Sequence, residues 1–533
     1  MNWFNYIITI LSLYLNYRGI NYVIGVYKTL LFVKNGTSSL KTKEPGDPPP
    51  RIIILLPLLR EQSVIKGLVN YFARLEYPLN RLAIILVTTE KERSEKLKNS
   101  ANLKQLTHDL TSGTNEEKIL ERYLGIFPRT QLKRLVKQVN SGLVIDLSKL
   151  KHLYNQQKTT IELAERIIKR KNLQLGKKIF FHAHYPETEG VMAHQLNYVM
   201  KNLKNIVNFN LNEDQTYIGV YNADSKPNLK TLLSLKRESE NYKVKQGLYP
   251  EVFQQISAYT ANYQAYNKNF IGWLLKASSI VQTRWALGFE IPMLIKQSSF
   301  WIKNHGRKLK FWEKIIEPPA YCVGHGMYVR LDILKMVGWY PTETMNEDLP
   351  LGYYLVLNKI PINPLPLLES VENPDSLSML VAQKASWFWG MVDYFDYLSY
   401  ASSKVKNYDH FRATLMALKG IKRDALAWLF SSFGILLLLI SPVLLDGWWK
   451  LLPLSAVLTY AVIPSFLIVV LLPQIFKLSF RKSIKTSFGE AITVGLFSIV
   501  YLLISSIGPW KTLLNKVAVS FFKAIPIKAK TER

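Results

Sequence analysis

Polar residues follow three apolar runs of strand length, which cover residues 51–57, 82–87 and 217–221. The polar groups at the ends of these runs are Glu61, Thr88, Thr89, Glu90, Asn222 and Asp224. In an open sheet of parallel strands, ligands bind beyond the carboxyl ends of the strands. We therefore expect these side chains to line one binding site.

The triplet Asn222-Ala223-Asp224 follows its apolar run directly. Such triplets commonly form simple turns, and its position after a strand is what favours a functional role. Mg²⁺ and Mn²⁺ bind one or two carboxylates together with phosphate oxygens of a substrate. The triplet therefore indicates a divalent cation held by Asp224 beside the diphosphate of a nucleotide.

A second group of candidate residues lies in the segment 321–348. Gly324 and Gly326 flank His325 and could let the backbone approach a ligand closely. Further on, the paired carboxylates Glu347 and Asp348 could supply a general base, since a neighbouring charge or burial raises the pKa of a carboxyl group. The alternative is a helix N-terminus, where acidic side chains favour the helix dipole.

Two further patterns leave alternatives open. Gln383 and Trp387 belong to an aromatic cluster that could stack on a sugar ring or form an interfacial belt beside a membrane. His182 and His184 share one face of a strand, as two metal ligands would, but the sequence offers no third ligand.

The elements that must position these residues alternate between strand and helix. A continuous apolar run is typical of a buried parallel strand, and helical spacing follows the first run at 62–76. A further strand at 179–183 and a helix at 191–203 precede the strand at 217–221. Residues 91–177 instead combine Lys, Glu, Gln and Asn with helically spaced Leu and Ile, which predicts a solvated helical insertion.

Membrane segments are predicted at both ends of the chain. The stretches 425–445, 451–472 and 488–507 are almost free of charge and have about the 20 apolar residues of a membrane-spanning helix. Residues 1–40 are expected to form one long tilted anchor or a pair of interfacial helices. The remaining predicted segments are a linker at 41–50, an interfacial helix at 406–424 and a basic tail at 511–533.

The net charge of +29 arises from 68 Lys and Arg against 39 Asp and Glu. An anionic membrane surface accounts for this charge more simply than nucleic acid does. Basic clusters at 419–423 and 477–485 mark the cytoplasmic side, and the single cysteine, Cys322, fits a reducing compartment. Three C-terminal spans would, however, leave the basic tail on the opposite side.

In order and spacing, the motifs resemble the membrane-bound glycosyltransferases of family 2, which include cellulose and hyaluronan synthases. Pro57-x-x-x-Glu61 resembles the strand that ends at the nucleotide site. Leu196-Asn197 resembles part of a conserved helix, and the turn at 221–227 resembles Asp-Ala-Asp-Ser-x-Pro. The last three matches are the stretch from Gly324 to Gly338, Asn346-Glu347-Asp348 in place of Thr-Glu-Asp, and the segment 383–387 in place of Gln-x-x-Arg-Trp.

The resemblance implies an inverting transferase with an α/β fold of GT-A type, a doubly wound mixed sheet occupying 51–405. It implies Asp348, beside Glu347, as catalytic base and Asp224 as metal ligand for Mg²⁺ or Mn²⁺. The residues implied to bind the nucleotide sugar are Pro57, Glu61, Thr88, Thr89, Glu90, Asn197, Asn222 and Asp224. The residues implied to bind the acceptor are Gly324, His325, Gly326, Gln383 and Trp387.

The implied acceptor is a membrane-associated glycan or lipid at the cytoplasmic face of a bilayer, such as a bacterial inner membrane. Three departures from the family pattern are Thr88-Thr89 for Asp-Asp, Asn222 for Asp, and Ser386 for Arg. These departures motivate an alternative, a degenerate transferase that serves as an assembly partner. A transporter with a regulatory domain is a further alternative, although the predicted C-terminal spans contain almost none of the charged residues that transport pathways carry.

Overall fold

The computed structural model describes residues 3–39, 48–113, 115–123, 126–127, 129–207, 211–480 and 484–522. Most of the predicted linker, the end of the predicted basic tail, and Arg481 and Lys482 of the basic loop lie outside these ranges.

The strands are β1 Arg51–Pro57, β2 Leu82–Thr89, β3 Phe180–Tyr185, β4 Thr216–Val220, β5 Lys226–Pro227, β6 Val252–Gln254, β7 Ser257–Ala258, β8 Met327–Arg330, β9 Ile362–Pro364 and β10 Glu369–Ser370. The α-helices of the first half of the chain are α1 Trp3–Ser39, α2 Ile65–Phe72, α3 Lys91–Asn99, α4 Leu103–Thr111, α5 Glu116–Tyr123, α6 Arg129–Asn140, α7 Leu147–Gln156, α8 Thr160–Leu175, α9 Met192–Lys201, α10 Leu203–Ile206 and α11 Thr231–Gln246. Those of the second half are α12 Phe270–Trp285, α13 Ile291–Lys303, α14 Phe311–Ile316, α15 Leu331–Met336, α16 Asp348–Leu357, α17 Leu377–Val392, α18 Tyr394–Lys404, α19 His410–Gly420, α20 Ala427–Leu429, α21 Ser431–Leu444, α22 Leu451–Val457, α23 Ile463–Phe480, α24 Phe488–Ile504 and α25 Ile507–Phe522.

A mixed seven-stranded sheet lies at the centre of the α/β part, in the order β3-β2-β1-β4-β8-β6-β9. β3, β2, β1 and β4 are parallel, whereas β8 is antiparallel to both of its neighbours. β9 is parallel to β6. The four parallel strands therefore end at one edge, as the apolar runs of the sequence predicted.

Both faces of the sheet are covered, which explains why its strands are apolar along their whole length. In β1, Ile52, Ile54 and Leu56 pack into one apolar core, and Ile53 and Leu55 pack into another on the opposite face. The first core includes residues of α2, α8 and α11, and the second includes residues of α9, α12, α13 and α16. The chain thus has the α/β architecture with helices on both faces of a central sheet.

Helices α3 to α8 fill the predicted insertion at 91–177. Most of them enclose an apolar core of their own, which includes Leu106, Phe127 and Tyr154. A capping box between Thr159 and Glu162 begins α8, and α8 in turn packs on the central sheet. The insertion is therefore joined to the α/β core through α8.

Two helices among the described residues are long and apolar enough to cross a membrane, Leu451–Phe480 and Phe488–Ala518. A third span results if His410–Leu429 and Ser431–Leu444, which meet at a bend of 55°, are counted as one. These segments overlap the three predicted spans but extend beyond their predicted ends at 472 and 507.

The N-terminal segment is one helix of 37 residues, α1, and does not meet the same test of length and hydropathy. It packs along α22 and α23, where Asn16 donates to Ser455 and accepts from Thr459. Its later part reaches the α/β core, where the Thr29 hydroxyl donates to the Leu287 carbonyl. A single helix was one of the two predicted arrangements, but a membrane-spanning anchor is not shown for it.

Candidate active site

The loop after β1 is held by hydrogen bonds to residues of the helical insertion. The Glu61 backbone N–H donates to the Thr160 hydroxyl at 2.9 Å, and the buried Glu92 carboxylate accepts from the backbone N–H groups of Arg60 and Thr160. Arg60 has a φ of +57°, which side-chain-bearing residues seldom adopt. Backbone strain of this kind often marks ligand-binding positions. Glu61, the next residue, lies in the loop that follows the carboxyl end of β1.

Thr88 joins the ends of β2 and β3 through the two histidines. Its hydroxyl lies 2.8 Å from His182 Nε2 and 3.1 Å from His184 Nδ1, and His184 Nε2 lies 3.0 Å from Glu90. Burial lowers the pKa of His182. The histidine pair therefore belongs to a hydrogen-bonded strand end, and the described residues contain no cluster of three or more His, Cys, Asp or Glu suited to a metal ion.

The turn after β4 positions Asn222 and Asp224. The Ser225 backbone N–H donates to the Asn222 carbonyl, and the Asn222 backbone N–H donates to the Ser225 hydroxyl, each at 3.1 Å. The preceding Tyr221 is fixed by hydrogen bonds to Gln255 and Tyr328. Asp224 is consequently held almost fully buried, with 6% of its surface exposed.

Two glycines allow the candidate acceptor segment to pass close to carboxylates. A Cβ atom on Gly324 would lie 3.1 Å from Asp348 Oδ2 and 3.4 Å from Glu347 Oε1. A Cβ atom on Gly326, which has a φ of +67°, would lie 2.8 Å from the Gln255 carbonyl oxygen. Gly324 and Asp348, which the sequence placed in one candidate group, therefore meet in space.

His325 forms a buried ion pair with a residue that the sequence did not indicate. Its Nδ1 lies 2.8 Å from Glu369 Oε2, and the Ser257 hydroxyl bonds to both groups at 3.2 Å. Burial lowers the pKa of His325, but the Glu369 carboxylate outweighs it and, with Asp224 and Asp348, raises the pKa to about 9. His325 therefore carries a positive charge at neutral pH.

Ser257 and Glu369 reach this position through a second, three-stranded sheet in the order β5-β10-β7. Glu369 pairs with Ser257 in register across β10 and β7, and with Pro227 across β5. The strand that follows the Asn222 turn thus contributes to the same small sheet as the partners of His325.

The charges of carboxylates from both groups act on Tyr259. Burial raises its pKa well above the usual value, and the charges of Glu290, Glu369, Asp224 and Asp348 raise it further. Its ring contacts that of Trp387 with centroids 5.7 Å apart. Asp224 and Asp348, which the sequence separates widely, therefore both act on a side chain that contacts Trp387.

The remaining predicted residues have defined neighbours. The Asn197 side-chain amide is engaged on both sides by the Tyr340 backbone, at 2.8 and 3.0 Å. Pro57 ends β1 opposite Val87. Gln383 lies on α17 one turn before Trp387. Its amide oxygen accepts from Lys384 Nζ at 3.5 Å.

The sequence could not indicate Ser257, Tyr259, Glu369, Glu92 and Thr160, because none lies in a recognisable motif. Glu369 carried one weak signal, since a carboxylate directly after the apolar run 365–368 is uncommon in a buried segment.

The donor set at the Asn222 turn fits a divalent cation that is completed by a substrate. Asp224 offers a carboxylate and Asn222 an amide carbonyl, both oxygen ligands of the kind that Mg²⁺ and Mn²⁺ prefer. Because Asp224 belongs to no group of three or more His, Cys, Asp or Glu suited to a metal ion in the part of the chain that the structure describes, diphosphate oxygens would have to supply other ligands.

No protein-family model matches the chain, and a search of curated proteins finds no match. Among solved structures, the chain is similar to the mannosyltransferase PcManGT from Pyrobaculum calidifontis, solved with GDP-Man and Mn²⁺. The similarity has 11% identity and a TM-score of 0.32, and covers 92% of this chain and 99% of that chain. A second similarity is to S. aureus TarS 1-349, with 8% identity and a TM-score of 0.30 over 86% of this chain and 91% of that chain. At such values the assignment of a function rests on the residues of this chain.

Proposed function

We propose that the chain is an inverting glycosyltransferase, which moves a sugar from a nucleotide-sugar donor to a membrane-associated glycan or a lipid-linked acceptor. The observation that carries the proposal is that the Asp348 carboxylate lies against Gly324, beside the buried pair of His325 and Glu369. Asp224 and Asp348 both raise the pKa of His325, which supports one shared centre. One carboxylate at the end of a parallel strand and another at the start of α16 suit a donor side and an acceptor side of one centre.

On the donor side, the proposal assigns the nucleotide to the carboxyl edge of the parallel strands. Asp224 and Asn222 would hold Mg²⁺ or Mn²⁺, which offsets the negative charge on the departing diphosphate. The positioned backbone of the Glu61 loop and the buried turn of Asp224 support this assignment. The other residues assigned to the nucleotide sugar are Pro57, Thr88, Thr89, Glu90 and Asn197.

On the acceptor side, Asp348 would remove the proton of the acceptor hydroxyl as its oxygen bonds to the anomeric carbon. The bond from that carbon to the diphosphate breaks in the same displacement, which inverts the configuration. Glu347 would lie beside the base, and Gly324 lets both carboxylates approach the backbone of the acceptor segment. Gly326, His325, Gln383 and Trp387 are assigned to acceptor binding, with the Trp387 ring available for stacking on a sugar.

We place the reaction at the cytoplasmic face of a bilayer, such as a bacterial inner membrane. The helix Leu451–Phe480 and the bent pair of His410–Leu429 and Ser431–Leu444 have sufficient length and hydropathy and support membrane insertion. The basic residues Lys419, Lys422 and Arg423 lie on the domain side of the bent helix pair and support a cytoplasmic domain.

The test is transfer of labelled sugar from a panel of nucleotide-sugar donors by the purified full-length protein with Mn²⁺. We expect turnover with at least one donor, and a loss of about 10²- to 10⁴-fold in kcat for Asp348→Asn, because general bases contribute that much. Asp375→Asn is the control, since Asp375 is exposed and bonds to Asn262. Absence of turnover with every donor would instead favour an assembly partner without catalysis.

A further inference from the structure

Lys384 on α17 is a buried cation beside the candidate acceptor site. Its residue surface is 3% exposed, and its ammonium nitrogen lies 4.2 Å from the centroid of the Trp387 ring. Its hydrogen-bonding partner is the Gln383 amide oxygen, at 3.5 Å. No carboxylate among the described residues forms an ion pair with it.

Two of the three other basic side chains that are buried to a similar degree have a carboxylate partner. Lys276 pairs with Glu490 at 2.7 Å, and Arg412 pairs with Glu317 at 2.6 Å. Arg284 donates to the Tyr460 carbonyl and lies over the Tyr22 and Tyr460 rings at 4.8 and 5.0 Å. Arg284 also lacks a carboxylate, but it has a short hydrogen bond to a carbonyl, whereas Lys384 has one hydrogen bond at 3.5 Å. A buried ammonium with one long hydrogen bond is unfavourable unless an anion joins it.

The position of Lys384 indicates where such an anion would come from. On one side, Trp387 contacts Tyr259, on which the charges of Asp224 and Asp348 act. On the other side, the ammonium lies 5.9 Å from the Trp428 ring, and Gly508 faces the Lys384 Cβ atom. Lys384 therefore lies at the junction between the candidate site and the apolar C-terminal helices.

We propose that Lys384 is the counter-cation of a phosphate group that enters this junction, either the diphosphate of the donor or the phosphate of a lipid-linked acceptor. The inference rests on the proposed function and assigns a role to a residue that the motif at 383–387 leaves unspecified. Burial lowers the pKa of the unliganded Lys384 well below the usual value, and a bound phosphate would stabilise the protonated form by charge attraction. Charge-assisted hydrogen bonds to phosphate are among the strongest that lysine makes.

The experiment measures binding to the purified full-length protein in detergent, in the presence of Mn²⁺ and without any sugar. The probes are inorganic pyrophosphate and a short-chain polyprenyl monophosphate. We expect Lys384→Met to weaken the affinity for one of them by at least about tenfold, the equivalent of one charge-assisted hydrogen bond. Lys384→Arg should retain most of the affinity.

Lys276→Met is the matched control, because Lys276 is equally buried and also lies over aromatic rings but has its own carboxylate. It should keep wild-type affinity for both probes. In the unliganded protein, Lys384→Met should melt at or above the wild-type temperature, whereas Lys276→Met should melt lower because Glu490 loses its partner. If Lys384→Met folds poorly, Lys384→Gln serves for the same comparison.

Each result decides the proposal. A loss confined to pyrophosphate identifies the donor diphosphate as the anion, and a loss confined to the polyprenyl phosphate identifies the acceptor. Wild-type affinity of Lys384→Met for both probes overturns the proposal and leaves a buried lysine that is neutral and structural. Since no sugar transfer is measured, this outcome is distinguishable from failure of the proposed transferase activity.

Discussion

His325 Nδ1 lies 2.8 Å from Glu369 Oε2, in a pair that is almost completely removed from solvent. The two residues are 44 positions apart, and the small sheet of β5, β10 and β7 brings Glu369 under the glycine-flanked histidine. The pair favours the protonated form of His325, whose pKa the charges of Asp224 and Asp348 also raise. A cation at this position can attract phosphate and can moderate the repulsion between the two aspartates.

The first prediction concerns the pH dependence of stability. The pKa of His325 is about 9 in the folded protein, above its ordinary value of 6.5. Its contribution is therefore complete below pH 6.5 and is lost as the pH rises through 9. We expect the melting temperature of the wild type to fall over this window, by the equivalent of at most about 3 kcal/mol, and that of Glu369→Gln to change much less.

Thermal unfolding in detergent from pH 6 to pH 10 measures this effect. Glu165→Gln is the control, because Glu165 lies 3.6 Å from His182 but its side chain is 68% exposed, so solvent screens the interaction. A slope in Glu369→Gln as steep as that of the wild type would show that the histidine pair does not govern the pH response.

The second prediction concerns the donor side. Asp224→Asn removes the one carboxylate of the Asn222 turn, and we expect it to abolish the protection against thermal unfolding that a nucleoside diphosphate gives with Mn²⁺. Asp214→Asn, at an exposed position before β4, should be protected as the wild type is. Protection of Asp224→Asn that depends on Mn²⁺ and is as large as that of the wild type would remove Asp224 from the metal site.

The third prediction concerns the buried pair between Arg412 and Glu317. The guanidinium donates to both oxygens of Glu317 at 2.7 and 2.6 Å and to the carbonyls of Val356 and Leu357. Arg412→Met should destabilise the protein by about 3–5 kcal/mol, because Glu317 is left buried without its partner. The double variant Arg412→Met/Glu317→Leu should recover much of the loss in melting temperature, since neither charge remains.

The sequence predicted the parallel strands well, because apolar runs bounded by breakers are local signals. The strand at Arg51–Pro57 has its predicted limits, and the strand ends carrying Thr88 and Asp224 fall at the carboxyl edge of the sheet. The antiparallel strand β8 and the two-residue strands β5, β7 and β10 are too short to give a periodic signal. They are formed by long-range pairing, which a local pattern does not encode.

The candidate site likewise contains residues that the sequence could indicate and residues that it could not. Asp348 and Gly324 could be predicted, since acidic and glycine residues stood in recognisable spacing, and the structure brings them together. Tyr259, Glu369 and Lys384 could not, because their importance follows from which neighbours the fold provides. A lysine in an apolar helix is ordinarily expected to extend its ammonium group into water. Only the structure shows that Lys384 is buried instead.

The fourth prediction concerns the packing of α1 on the α/β core. A Cβ atom on Gly25 would lie 2.0 Å from the Gly288 carbonyl oxygen, whereas a Cβ atom on Gly67 would contact nothing within 4 Å. Gly25→Ala should therefore separate α1 from its neighbour and lower the melting temperature. Gly67→Ala, in the exposed middle of α2, should leave it unchanged or raise it by the equivalent of about 0.5–1 kcal/mol. Equal effects of the two substitutions would contradict the close packing of α1.

The last prediction concerns the membrane topology of the helix at Phe488–Ala518. Near its start, Glu490 pairs with Lys276 of α12, and towards its end Lys516 pairs with Asp393 and Asp396. Both ends thus contact the α/β part of the chain, although the helix is long and apolar enough to cross a membrane. We expect it to lie along the domain with both ends on one side, which also places the basic tail on the cytoplasmic side.

Single-cysteine labelling can test this arrangement, because Cys322, the chain's one cysteine, is buried. The exposed positions Gly489 and Lys511 should both react, as cysteine variants, with a membrane-impermeant thiol reagent in inside-out vesicles. Asp446→Cys, in the exposed turn between the bent helix pair and the helix at Leu451–Phe480, should react only in vesicles of the opposite orientation. Labelling of Gly489→Cys and Lys511→Cys from opposite sides would mean that the helix crosses the bilayer, in which case the contacts of Glu490 and Lys516 could not both form in the membrane.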